Sequence, residues 1–191
     1  PYGFKTALQF KFQEVQDIKF AVIKELFDKY DFDGLEIDFM RCSTYAIPGT
    51  EPQNAHFLTQ FLSRVRKHLN KRAIERGRPI PLAVRVGENL DACALDGFEV
   101  ETWIKDGLID ILIAGAGAGD IAIEDFKELT SGTSVLIYPC LEAYGSWSTY
   151  RTRPTALRRA TALNYWYQGA DSIYTFNWFP HQVQSEGPLF K

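Results

Sequence analysis

The feature that most constrains this chain is a recurring junction. An amphipathic stretch runs into a Gly/Asp turn and a short apolar run follows, at Asp31-Phe-Asp-Gly34, Lys105-Asp-Gly107 and Gln168-Gly-Ala-Asp171. Each turn separates helical periodicity from a segment of strand length, so the unit is helix then strand along the whole chain. Over residues 12–30, Val15, Ile18, Val22 and Leu26 recur with Lys and Glu between them, which predicts a helix with that stripe inward. A second helix is expected from about Asn54 to Arg76, with Phe57, Phe61, Val65 and Leu69 on one face and a basic, solvated outer face that includes His56 and His68. Short helices are expected at Val100–Asp106 and Ile123–Thr130. A last one runs over Thr155–Gln168, opened by Pro154 and ended by Gly169. The strand candidates are Leu35–Phe39, Pro81–Gly87, Leu108–Ala114, Ser134–Pro139 and Ser172–Asn177.

Alternating helices and strands mean an α/β fold with a parallel sheet covered by helices, either a barrel or an open doubly wound sheet. No strand is followed by a Gly-rich phosphate-binding fingerprint. Gly115-Ala-Gly-Ala-Gly119 comes nearest, but it lacks the spacing and the acidic partner, and reads as a flexible loop. Polar residues gather at the C-terminal ends of several strands, where a barrel keeps its active site. Five strands cannot close a barrel that needs eight strands and about 250 residues. The expectation is therefore the C-terminal part of a (β/α)8 TIM barrel, about five βα units corresponding to strands 4–8, as a single partial domain over residues 1–191.

Composition narrows the function. A net charge of −3 leaves no nucleic-acid footprint, and Cys42, Cys93 and Cys140 have no metal-ligand spacing. No cofactor motif is present and no cofactor is expected. No run of about 18 apolar residues suggests a membrane span. The chain starts at Pro1-Tyr-Gly3 without an initiator Met and stops in a loop at Phe190-Lys191, so it is expected to be a piece of a longer protein. Localisation stays open, secretion or a periplasmic location requiring a signal peptide upstream. Oligomeric state is equally open.

The chemistry starts at Asp33-Gly-Leu-Glu-Ile-Asp-Phe-Met-Arg41. Leu35, Ile37 and Phe39 fall on one face of a strand, and Glu36, Asp38 and Met40 on the other. Sending each strand's apolar parity to the helices turns a polar ring inward. It comprises Glu36 and Asp38; Ala83, Arg85 and Gly87; Asp110, Leu112 and Ala114; Leu136, Tyr138, Cys140 and Glu142; then Thr175 and Asn177. Such a ring is too polar for an ordinary barrel core. Two carboxyl groups from separate strands suit glycosidic bond cleavage, which needs a proton donor and a nucleophile or base. Asp38 and Glu142 are the candidate catalytic pair, with Glu36 held ionised by Arg85. Tyr45, Tyr144, Trp147, Tyr150, Trp178 and Phe179 follow strand ends and offer sugar-stacking faces, while Arg41, Arg151 and Arg153 suit anionic sugars. His181 reads as a loop histidine.

With these residues, the chain resembles glycoside-hydrolase-type TIM barrels. It looks most like uncharacterised bacterial glycosyl-hydrolase-like proteins that carry a strand of the DGLEIDFMR type. The segments Phe98–Asp110 and Ile173–Phe179 carry the similarity further, from about residue 7 to 180. The resemblance implies polysaccharide degradation, with the opening strand as the fourth of the barrel and the Glu142 strand as the seventh. Asp38 and Glu142 then stand where a large clan of retaining glycosidases keeps its acid/base and nucleophile, although the clan's Asn-Glu pair is absent. Asp33, Glu36 and Asp38 also match the acidic positions of the chitinase motif DxxDxDxE, whose final Glu is Met40 here. The expected function is thus a carbohydrate-active glycoside hydrolase acting on an oligo- or polysaccharide. Asp38 and Glu142 are its catalytic residues, and Glu36, Arg41, Arg85, Tyr138, Tyr144, Trp147, Asn177 and Trp178 its binding or supporting residues. The alternatives are a non-catalytic sugar-binding barrel, or a TIM-barrel lyase or isomerase using Arg85 and the acids on a carboxylated substrate.

Overall fold

The computed structural model describes residues 8–41, 45–115, 120–142 and 154–178. Along them run α1 (Gln13–Lys29), β1 (Leu35–Asp38), α2 (Glu51–Arg76), β2 (Leu82–Val86), α3 (Leu90–Leu95), α4 (Val100–Lys105), β3 (Ile111–Ala114), α5 (Ile123–Leu129), β4 (Leu136–Glu142), α6 (Thr155–Tyr167) and β5 (Tyr174–Phe176). The five strands form one sheet in the order β1-β2-β3-β4-β5, every neighbouring pair parallel. Such an order has no switch point, unlike a doubly wound sheet, whose strand order reverses.

The sheet is curled. Flat, five strands would hold β1 and β5 about 19 Å apart at ordinary strand spacing. Yet the Tyr174 hydroxyl on β5 donates to Glu36 Oε1 on β1 at 2.9 Å, and the Arg85 guanidinium on β2 stacks 3.8 Å from the Phe176 ring on β5. Both contacts cross one concave face, so the sheet forms a half-barrel. Pairing is also staggered: β4 meets β3 through Leu136–Pro139 and β5 through Cys140–Glu142. Pro139, which has no N–H to give, sits where β4 passes from one neighbour to the next.

The convex face carries the core. Val84, Leu112 and Ile137 are fully buried there, against Leu62, Val65, Leu69, Trp103 and Phe126 from the helices. Trp103 lowers its indole into this layer because Nε1–H donates to Thr59 Oγ1, which in turn donates to Glu99 Oε2.

The recurring junction has a concrete form. Gly107 and Gly169 end α4 and α6 at φ 62° and 95°, and Leu108 and Ala170 donate back to Trp103 and Tyr165 carbonyls. The acid that follows bonds the preceding strand. Asp110 Oδ2 accepts the Leu82 N–H and an Arg66 N–H, and Asp171 accepts the Ile137 N–H and Lys127. Asp110 therefore belongs to the N-terminal end of the sheet, not to the inward ring.

Three other expectations change. Helix α1 buries Val15, Ile23 and Phe27 and leaves Ile18 and Val22 exposed, so the inward stripe is rotated from the one its spacing suggests. His68 is not on a solvated face: its ring meets Phe20 edge-on and Nε2 lies 3.6 Å from Asp28. Burial pulls its pKa down, with Asp28 opposing. Helix α3, begun by the Asn89 side chain accepting the Ala92 N–H, is an additional element that periodicity does not announce.

Among the described residues, no helix is long and apolar enough to cross a membrane.

Candidate functional site

Strand register fixes the concave face. Asp38 stands opposite Arg85, Arg85 opposite Ile113, and Ile113 opposite Tyr138; farther along, Cys140 faces Tyr174 and Glu142 faces Phe176. Partners in a parallel pair point the same way. The face thus carries Glu36 and Asp38, Ala83 and Arg85, Ile111 and Ile113, Leu136 to Glu142 on even numbers, and Tyr174 and Phe176. Strands β1, β2 and β4 agree with the expected ring. Strands β3 and β5 do not: Leu112 and Ala114 are buried on the convex side, and Thr175 is exposed while Tyr174 and Phe176 take the inward places.

Arg85 is the centre. It is 1% exposed, so its charge survives only with partners on every side. Nη1 donates to Asp38 Oδ2 at 3.2 Å, Nη2 lies 4.0 Å from Glu142 Oε1, and Nε donates to the Gly115 carbonyl at 3.0 Å. The guanidinium carbon lies over the Phe176 ring at 3.8 Å, with the Tyr174 ring at 5.9 Å. The expected Glu36–Arg85 pair is therefore replaced by an Asp38–Arg85 pair. The strands are in register at Asp38, and Glu36, one pleat lower, takes the Tyr174 hydroxyl instead.

Asp38 ends β1 with both oxygens in use, since Oδ1 also accepts the Met40 N–H at 2.9 Å. Glu142 ends β4 and is buried. One guanidinium reaching both acids keeps their oxygens near or below the upper end of the about 6.5–9.5 Å span of inverting carboxylate pairs. The Tyr174 phenol is raised above its ordinary range by burial first and by its bond to Glu36 second, so it stays a donor. Cys140 lies beside them, its thiol pushed up to about 12 by burial against the pull of Arg85.

The remaining candidates separate. Tyr138 shares the concave face and is half-buried. Arg41 is exposed at the same end, its guanidinium 5.1 Å from the Phe176 ring. Asn177 follows β5 in the left-handed region at φ 52°, which explains an Asn there without any site role. Trp178 packs on the core, with the buried Arg158 5.2 Å from its ring. Tyr45 is drawn into an aromatic cluster with Phe10, Phe39 and Phe98 and donates to the Phe39 carbonyl. Asp33 sits at the opposite end of β1, ion-paired with Arg78. Tyr144, Trp147, Tyr150, Arg151, Arg153, Phe179 and His181 lie outside the described residues.

Two members of the site do not show in the sequence pattern. Tyr174 and Phe176 alternate with Thr175 and Asn177, and hydrophobicity alone sends the aromatic parity to the helices. The signal that distinguishes them is chemical: Tyr can carry a hydroxyl to an acid, and an aromatic face can cover an arginine. Among the described residues, no group of three or more His, Cys, Asp or Glu side chains could hold a metal ion.

No family model and no curated protein matches the sequence. Among solved structures, the chain is similar to a glycoside hydrolase family 18 N-acetylglucosaminidase from Paenibacillus barengoltzii, with 15% identity and a TM-score of 0.49. The match covers 71% of this chain and 46% of that one, so the chain spans about half the length of that enzyme. What the fold itself defines is an α/β protein with a parallel half-barrel, of the kind a partial TIM barrel would present.

Proposed function

We propose that this chain carries the active face of a glycoside hydrolase, cleaving an O-glycosidic bond in an oligo- or polysaccharide. The observation that supports it is the Asp38–Arg85–Glu142 arrangement at the C-terminal ends of parallel strands on a concave face. Two acids from separate strands, at a separation compatible with a paired-carboxylate mechanism, are the chemical minimum for that reaction. Asp38, with both oxygens accepting, suits the role that stays a carboxylate and either attacks the anomeric carbon or takes the proton of the water that does. Glu142, at the looser contact to Arg85, suits proton transfer to the leaving oxygen. Glu36 and Tyr174 form a donor–acceptor pair on the same face, placed for sugar hydroxyls, and Arg41 borders it. Tyr138, Tyr144 and Trp147 keep their proposed binding roles; Asn177 and Trp178 are better explained by backbone conformation and packing.

A second reading has its own observation. One buried guanidinium shared by two acids is also how a structural ion triad looks, which fits a sugar-binding barrel without turnover. Incubation of the protein with a panel of defined oligosaccharides separates the two, with new reducing ends measured beside binding heats. Release of reducing ends supports hydrolysis. Binding heat with no release supports the binding barrel, and neither binding nor release removes the carbohydrate reading only for this half-barrel taken alone.

A further inference from the structure

Gly115 opens the glycine-rich stretch whose composition suggests a flexible loop, but this residue is held from three directions. Its N–H donates to the Val86 and Gly87 carbonyls at 3.0 and 3.2 Å. Its α-carbon faces Ile121 so closely that an added Cβ would stand 2.7 Å from Ile121 Cδ1, and 3.5 Å from Cys140 Cβ. Its backbone adopts φ 105°, where side-chain-bearing residues are strained. Its carbonyl receives the Nε–H of Arg85 at 3.0 Å. We propose that Gly115 is a positioning residue for the carboxylate pair. By occupying Nε, its carbonyl fixes the rotation of the guanidinium fork, and the two remaining nitrogens are turned toward Asp38 and Glu142.

The constraint is geometric. A guanidinium is planar, and its donors leave in fixed directions. With one edge tied to a backbone carbonyl and the Phe176 ring 3.8 Å from the guanidinium carbon, the fork is held so that Nη1 and Nη2 aim at the two acids. Without the carbonyl the fork can swing about its long stem, and the acids lose a common reference point. The catalytic consequence rests on the hydrolase reading above; the anchoring itself does not.

The test uses the side-chain Nε–H resonance of Arg85, assigned by its disappearance in Arg85→Lys. In the unaltered protein it is expected to exchange slowly near neutral pH, because it is buried and bonded. Rapid exchange there would overturn the proposal without any variant. Gly115→Ala is combined with Ile121→Ala to make room for the added methyl. The double variant is expected to speed exchange of the Arg85 Nε–H, and to lower kcat on a cleaved oligosaccharide by about 100-fold with KM little changed. Ile121→Ala alone is the control and should leave both nearly as they were. A folded double variant with protection and kcat intact overturns the proposal. If the double variant does not fold, Arg85→Lys decides, because it keeps the charge but cannot reproduce the fork. That variant is expected to show the same loss in kcat at near-constant KM, and full activity in it would contradict positioning by the fork. Faster exchange in a protein that cleaves no glycan upholds the anchoring and sinks only the hydrolase reading.

Discussion

Arg85 concentrates what a single residue can decide in this molecule. Its charge is balanced by Asp38, shared with Glu142, and screened from water by Phe176 and the Gly115 backbone. Replacing it with Met removes the guanidinium that Asp38 and Glu142 share. Such losses cost about 3–5 kcal/mol when the remaining charge is buried. Urea unfolding of Arg85→Met is expected to show a destabilisation in that range, and a change below about 1 kcal/mol would mean that the acids find other partners. The partner of Arg85 is also the clearest case of what the sequence withholds. Alternation places Glu36, Asp38 and Arg85 on one face, as the structure does. Which acid meets the arginine depends on the register of β1 against β2, and no local pattern encodes it.

Elements are legible in proportion to how differently their two faces are composed. Strand β1 alternates acid with aliphatic, and β4 carries Tyr138, Cys140 and Glu142 on one parity, so their orientation can be read. Strand β3 is Ile-Leu-Ile-Ala, apolar on both faces, and its parity carries no signal. In β5 hydrophobicity assigns the two aromatics to the core, although each has a polar or cationic partner on the concave face. Helix α1 offers apolar residues at two sets of spacings, and the set with Val15, Ile23 and Phe27 is the one that is buried. The repeated Gly/Asp junction is visible as a pattern, while its mechanism is not: Asp110 and Asp171 each bond a backbone N–H at the start of the strand before, Leu82 in β2 and Ile137 in β4, and a cation from a covering helix. Asp171→Ala removes the acceptor for the Ile137 N–H and the partner of Lys127. A loss of about 1–3 kcal/mol is expected, measurable by denaturant titration. The Asp171 carboxyl is lowered despite partial desolvation, because the Ile137 N–H and Lys127 outweigh it. A depressed carboxyl stabilises above its unfolded pKa and loses that contribution as pH falls through its folded one. The difference between wild type and Asp171→Ala should therefore shrink as the solution is acidified below the ordinary carboxylate range.

At the scale of the whole molecule, the half-barrel sorts chemistry by face. Aliphatic and aromatic residues fill the convex layer under the helices, whereas the concave face sets Glu36, Asp38, Arg85, Tyr138, Glu142 and Tyr174 among Ile111, Ile113, Leu136 and Phe176. The two buried thiols among the described residues report on that arrangement. Cys93 and Cys140 are both pushed up to about 12 by burial, against 9.0 for the free group. They are inert thiols in the native state, expected to resist alkylation until the protein unfolds. A raised folded pKa contributes stability below the unfolded pKa and loses it as pH climbs toward the folded value. Native stability should therefore fall between about pH 9 and 12, and the fall should be shallower in Cys93→Ala/Cys140→Ala. Equal slopes in the two proteins would show that the thiols are not buried as described.

Whether the two acids sharing Arg85 do the chemistry is tested most directly by turnover of one cleaved oligosaccharide in Asp38→Asn and in Glu142→Gln, each measured with substrate saturating. Each substitution keeps the shape of the side chain and removes its carboxylate. Each is expected to lower kcat by about 10²–10⁴-fold, with the substrate still bound and the protein still folded. Turnover at the wild-type rate in either folded variant would contradict a catalytic role for the pair.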